Sequence, residues 1–259
     1  MIDTHCHLTF RDFTDRVDDV IADAHAAGVH TMITVATTAE DAPRALAIAT
    51  EHNSVYCTAG VHPLYSDQPR NWDVIRKTVE HPRCVAWGEL GLDNHYDRPP
   101  RALQDAVLSE QLALIESARD DGLDKPIVVH CREAFDDVLA AFRTSSLDPA
   151  RFVFHCFTGS VDDARAVLDY GACISFTGVV TFRNAREVAD AAVLVPTDRI
   201  MVETDAPFLT PEPHRTVRPN EPKHVVHTAH FIADRRGISA EEFERQTDAN
   251  ARAFFGLPG

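Results

Sequence analysis

Six side chains able to hold a metal ion are spread along this sequence: His5, His7, Glu89, His130, His155 and Asp205. Imidazole and carboxylate donors together suit Zn, Mn, Fe, Co or Ni, and carboxylates with waters admit Mg as well. Four His and two carboxylates exceed what one catalytic ion with an open coordination position takes. Two ions sharing Glu89 is the more economical reading, and it suits hydrolysis by an activated water. A lone His-x-His is a weak signal, but six such residues at the ends of five different strands are not a chance placement.

The elements that would position them are legible in the alternation of β-branched apolar runs with amphipathic stretches. Eight strands are expected at 1–7, 31–36, 55–60, 84–89, 127–130, 152–154, 172–175 and 200–203. Helical spacing falls between them: Val17, Val20, Ile21 and Ala24 before Gly28, and Leu103, Val107, Leu114, Ile115 and Ala118 before Gly122. Eight βα units in 259 residues predict one α/β domain, a (β/α)8 TIM barrel over 1–259. Two extra C-terminal helices are expected on the barrel's outside, one starting near Glu221 and one at Ser239, where Ser-Ala-Glu-Glu reads as a capping box. In such a barrel all six residues lie at the C-terminal mouth, where active sites form.

Strand alternation separates these residues from their neighbours. His5 and His7 share a face, so Cys6 is expected to point away, as are Cys131 and Cys156 beside His130 and His155; all three read as packing residues. Asp3 is expected on the face of His5 and His7 as a carboxylate that orients them, and Glu203 as a polar residue of the barrel interior. His62 follows the third strand at the same mouth and is expected to contact substrate or order a loop, not to bind metal. His224, His227 and His230 are spaced by three on one helix and read as a solvated surface.

A net charge of −15 excludes binding of nucleic acid through a broad basic surface. It leaves open a nucleic-acid substrate bound locally by metals and a few arginines. The only lysines are Lys77, Lys125 and Lys223. None of the six cysteines forms a CxxC pair, and no apolar run approaches the ~20 residues of a membrane helix. A first strand starting at Met1 or Ile2 leaves no room for a signal peptide, so a cytoplasmic location is expected, with no membrane and no obligate protein partner.

Six motifs carry a resemblance: Asp3-Thr4-His5-Cys6-His7-Leu8, Ala59-Gly60-Val61-His62-Pro63, Gly88-Glu89-Leu90-Gly91-Leu92-Asp93, residues 126–133 around His130, residues 154–159 around His155, and residues 203–209 around Asp205. In this order the chain resembles the TatD family of metal-dependent deoxyribonucleases. The resemblance implies two divalent ions (Mg, Zn or Mn), with His5, His7, Glu89 and Asp205 on one and Glu89, His130 and His155 on the other. Asp205 would also position or deprotonate the attacking water, and DNA would be cut at phosphodiester bonds, often from the 3′ end. Arg132, Arg215 and Arg218 are the candidates for clamping a phosphate. Two departures fall in substrate-facing loops: Asn94 and His95 precede Tyr96 where the family carries an aromatic directly after Gly-Leu-Asp, and residues 213–222 lack a Gly and run one residue longer. Those departures keep open a related amide or ester hydrolase, such as a D-aminoacyl-tRNA deacylase. Lactonase-like relatives bridge their metals through a Lys at a strand end, but no Lys ends the fourth strand here. A non-enzymatic metal-binding module has no use for an open hydrolytic centre.

Overall fold

A computed structural model describes residues 1–258 of the chain. Eight strands follow one another round a parallel sheet: β1 (Ile2–Cys6), β2 (Thr31–Val35), β3 (Val55–Ala59), β4 (Cys84–Asp93), β5 (Ile127–Arg132), β6 (Phe152–Phe154), β7 (Cys173–Phe176) and β8 (Ile200–Val202). The sheet closes where the chain after β8 meets β1: Cys6 bridges Ala206, Asp205 N donates to His5 O at 2.9 Å, and His7 N donates to Ala206 O at 2.8 Å. The expected barrel is therefore present, with strand bounds within a residue or two except at β4, which runs on four residues to Asp93.

The helices between strands are α1 (Val17–Ala26), α2 (Ala42–Glu51), α3 (Trp72–Glu80), α4 (Arg101–Asp120), α5 (Phe135–Arg143), α6 (Val161–Tyr170) and α7 (Arg186–Leu194), with α8 (Val225–Arg236) and α9 (Ala240–Phe255) after β8. Strand alternation divides the apolar core into two bodies. Met32, Trp87, Val129 and Phe154 join residues of α1 to α8 and Phe243 of α9 in the layer outside the strands. Ile2, Ile33, Val35, Val128, Val153 and Met201 fill the barrel interior, together with Ala251, Phe255 and Leu257. The expectation that both extra helices lie outside the barrel thus holds for α8 and for the start of α9, where Phe243 joins the outer layer, but not for the end of α9. Only an apolar face set across the N-terminal end explains why its last turn shares the interior core, and Asp248 Oδ1 on α9 accepts from Ile2 N at 2.8 Å. Among the described residues no helix is long and apolar enough to cross a membrane.

Two strands carry an extra residue toward the mouth, and β4 has a further one at its start, where Cys84 and Ala86 pair with Cys57 and Thr58. Asp3 and Cys6 on β1 pair with Met32 and Thr34, and Trp87 and Leu90 on β4 pair with Ile127 and Val129. Such bulges re-aim side chains, and the two toward the mouth occur where a candidate ligand enters it. Beyond the bulge at Trp87 and Leu90, Gly91 has φ +149°, and a Cβ there would lie 1.8 Å from His130 O, so only glycine lets β4 run against β5 as far as Asp93.

Candidate metal centre

At the C-terminal mouth the six predicted ligands come together. His5 Nε2 lies 3.2 Å from His7 Nε2, 3.4 Å from Glu89 Oε2 and 3.8 Å from Asp205 Oδ1. His7 Nε2 lies 3.3 Å from Asp205 Oδ1 and 4.0 Å from Glu89 Oε2. A tetrahedral site with arms of about 2.1 Å has edges of about 3.4 Å, so the His5, His7 and Asp205 donors are spaced closely enough to hold one first-row cation, with Glu89 Oε2 beside them. The other oxygen faces a different set: Glu89 Oε1 is 2.6 Å from His155 Nε2, 2.8 Å from His130 Nδ1 and 3.3 Å from His62 Nε2. The first two are hydrogen-bond lengths, so on this side the donors are drawn together by shared protons.

All of these rings but His5 are turned by a second partner, which also fixes the tautomer. His7 Nδ1 donates to Val35 O at 3.0 Å and His155 Nδ1 to Glu203 Oε1 at 3.2 Å, leaving both Nε2 atoms toward the cluster. His130 is turned the other way: Nε2 donates to Asp93 Oδ2 at 3.0 Å and Nδ1 faces Glu89. His5 stacks flat on His155 with ring centroids 3.8 Å apart, and its buried Nδ1 has no partner. His62 differs from all of these. Its Nδ1 accepts from Leu64 N at 3.0 Å, so the neutral ring carries its proton on Nε2, the atom aimed at Glu89 and His130.

The electrostatics follow from buried carboxylates among imidazoles. Burial alone would raise the Glu89 carboxyl, but His155, His62 and the hydrogen bonds from His130 and His155 hold it well below its usual range. Burial would lower His155, but Glu89 and Glu203 raise it well above 6.5. His130 and His7 are raised in the same way, against burial, by Asp93 with Glu89 and by Asp205 respectively. In His62 burial wins, and the ring is lowered to about 4. Protons on His155, His130 and His7 thus balance the carboxylates, a task that bound cations would take over.

Backbone clamps set these groups. Asp3 is not on the face of His5. The β1 bulge turns its carboxylate to the β1–β8 seam, where Oδ1 accepts from His5 N and Thr204 N and Oδ2 from Thr204 Oγ1 at 2.6 Å. Burial raises that carboxyl to about 8. Two buried amides of α4 hold the neighbouring strand ends. Gln111 bonds both N and O of Val61 beside His62, and Gln104 bonds both N and O of Asp93.

The mouth opens into a cleft of about 1580 Å³. Its wall includes His62 and Arg132 as expected, but not Arg215 or Arg218. Arg215 stacks over Phe182 at 3.8 Å, and Arg218 Nη1 is engaged by Thr210 Oγ1, Arg215 O and Val217 O, so its fork serves the loop. Sequence reasoning passed over Arg183 and Arg186, which lie on the wall after β7, and over Phe10, Tyr65 and Phe208. Cys156 is also on the wall rather than under the helices, because its φ of +45° breaks the alternation past β6; Cys6 is buried as expected, and Cys131 is buried in the outer core but also borders the cleft. His224 is not solvated: it is 7% exposed, stacked on His214 and bonded to Asn220 Oδ1, while His230 is exposed and pairs with Glu244.

Comparison with known proteins places this geometry in a lineage. The family described as TatD related DNase matches residues 2–256. The uncharacterized metal-dependent hydrolase YcfH of Escherichia coli K12 is 37% identical over 260 residues, covering 99% of this chain and 96% of the relative. A Klebsiella pneumoniae protein named 3′-5′ ssDNA/RNA exonuclease TatD is 36% identical over 263 residues, covering 99% and 98%. The crystal structure of the E. coli K12 TatD homologue YjjV superposes with a TM-score of 0.90 at 29% identity, covering 100% of this chain and 98% of that one.

Proposed function

The chain belongs to the TatD-related DNase family of metal-dependent hydrolases, and on that premise we propose that it hydrolyses phosphodiester bonds of DNA, trimming from the 3′ end, with two divalent ions. The observation that carries this reading is the division of Glu89, whose Oε2 serves the His5, His7 and Asp205 set while Oε1 serves the His130 and His155 set. One carboxylate shared in this way suits two ions, drawn from Mg, Zn or Mn by availability as much as by donor type. When bound, the ions supply positive charge against the phosphate and lower the pKa of a water.

The protein's own groups do the rest. Asp205, 14% exposed and held by its backbone against His5 O, accepts the proton of the attacking water. His62 presents Nε2–H as a fixed neutral donor toward a phosphate oxygen at the His130 side. Arg132, on the cleft wall at the end of β5, donates to a second oxygen. Glu203 and Asp93 keep His155 and His130 in register.

The test sets metal-loaded protein against single-stranded DNA, a D-aminoacyl-tRNA and a panel of lactones. DNA is expected to be cut. Glu89→Ala is expected to abolish cutting, and Asp205→Asn to slow it by about 10²- to 10⁴-fold. Activity confined to the tRNA ester or to lactones would refute the substrate, and undiminished cutting by Glu89→Ala would refute the mechanism.

A further inference from the structure

The large apolar side chains left exposed among the described residues are Tyr65, Tyr96, Val193, Phe208 and Val217, and three of these five line the cleft. Scattered surface hydrophobes need no explanation, but aromatic rings gathered at the mouth of a hydrolytic site do. Phe208 and Tyr96 are each 49% exposed. They stand across the barrel from one another, because Phe208 follows β8, beside β1, while Tyr96 follows β4, beside β5. The metal-binding cluster lies between them.

Each ring is tied by its backbone to an acidic residue in or beside that cluster, Phe208 to the main chain of Asp205 and Tyr96 to the carboxylate of Asp93. Phe208 N donates to Asp205 O at 2.9 Å, and Phe208 O accepts from Asn220 Nδ2 at 2.6 Å. Tyr96 N donates to Asp93 Oδ1 at 3.2 Å. Each is also braced by other rings or cations. Phe10 stands edge-on to Phe208 at 6.0 Å and stacks flat on His7 at 4.5 Å. The Arg132 guanidinium sits 5.2 Å over the Tyr96 ring.

Charge gives the reason such rings are needed. Beyond the metal cluster the wall carries Arg132, Arg183 and Arg186 against Glu133, Asp136, Asp137, Asp163 and Glu187. A phosphate chain running along this wall meets more acid than base, so ionic contacts cannot supply the grip. Base-on-aromatic stacking can, because every base has a π-face. The cleft is also larger than the ~300–1,000 Å³ of small-ligand pockets and admits a stretch of polymer.

We propose that Phe208 and Tyr96 are base-stacking platforms on either side of the scissile phosphate, so that the substrate must present unpaired bases there. This rests on the nuclease reading above. A base laid on either ring gives up its partner in a duplex, so the platforms select single strands or frayed ends whatever their sequence.

The experiment uses metal-loaded full-length protein and thymidine oligomers that carry normal or abasic residues at the terminal two positions, with a blunt duplex alongside. Phe208→Ala and Tyr96→Ala are each expected to raise KM roughly 10-fold on the normal strand. Abasic residues are expected to raise the wild-type KM by a similar factor. The two losses should not multiply, because each removes the same contact. Phe208→Trp and Tyr96→Phe should restore binding, and the blunt duplex should be a poor substrate. An unchanged KM, equal losses on normal and abasic strands, or a duplex cut as fast as a single strand would overturn the platforms while leaving the nuclease reading intact. Failure of the wild type to cut any strand would overturn the nuclease reading, and the platforms with it.

Discussion

At the scale of single residues, the site is a set of rings whose spare nitrogens are held by second partners, His5 excepted. Glu203 and Asp93 accept hydrogen bonds from the outer nitrogens of His155 and His130, which aims the other nitrogens at Glu89. Glu203→Gln and Asp93→Asn are each expected to weaken metal binding by about 10- to 100-fold, as loss of such partners does elsewhere. Calorimetry of the metal titration checks this, and unaltered affinity in both variants would refute it. Proton linkage makes a second prediction. In the metal-free site His155, His130 and His7 hold their protons above the ordinary 6.5, so a cation must displace them. Metal affinity is therefore expected to fall as the pH falls and to recover only as it rises past these raised values. Near neutral pH, titrations in buffers of different ionisation enthalpy should report protons released; a heat that does not depend on the buffer would contradict this.

At the scale of elements, helix α4 is more than cover for the barrel. Its amphipathic face carries Gln104 and Gln111 among apolar residues, and each amide satisfies both backbone groups of one residue at a strand end. Gln111→Leu would leave the buried N–H and C=O of Val61 unpaired, at a cost of about 1–3 kcal/mol for each group. The preceding expectation for His62 gives this a functional readout: kcat should drop about 10²-fold with metal content unchanged, as when one fixed donor is lost. A variant less stable but equally fast would show that α4 does not position His62. Much of this level was legible from the chain. Alternation of apolar runs located all eight strands, and side-chain alternation put His5 and His7 on one face. What escaped lay where alternation fails. The β1 bulge turned Asp3 to the seam, the positive φ of Cys156 brought it to the cleft, and the short turn ahead of α8 buried His224. The partnership of Asp93 with His130 required β4 to outrun Glu89 by four residues, a length that Gly91 permits but no periodicity announces. A plug such as α9 reads as an ordinary amphipathic helix, because its pattern is the same whether it meets a barrel's side or its end.

At the scale of the whole molecule, charge shapes how a polyanion is met. With a net charge of −15 and three arginines on the cleft wall, few counterions are exchanged when a strand binds. The slope of log binding against log salt for a single strand is about −0.7 per phosphate neutralised, so a slope near −2 or shallower is expected. Binding measured from low to physiological salt checks this, and a slope beyond about −4 would point to a basic surface that the fold does not display. The acid excess slows the approach of nucleic acid at a distance, which leaves selection to the contacts inside the mouth.

The seam between β1 and the chain after β8 has a consequence in time. His5 and His7 come from the first strand and Asp205 from beyond the last, and their alignment depends on the pairing of Cys6 with Ala206. Contacts between residues some two hundred positions apart form late, because loop closure must be met before they repay it. On the ribosome His5 and His7 lack the Asp205 carboxylate until residues past 205 emerge, and a half-made barrel offers a cation only fragments of a site. Acquisition of metal is thereby tied to the end of synthesis, and tight uptake of an ion becomes a report that the ring has shut.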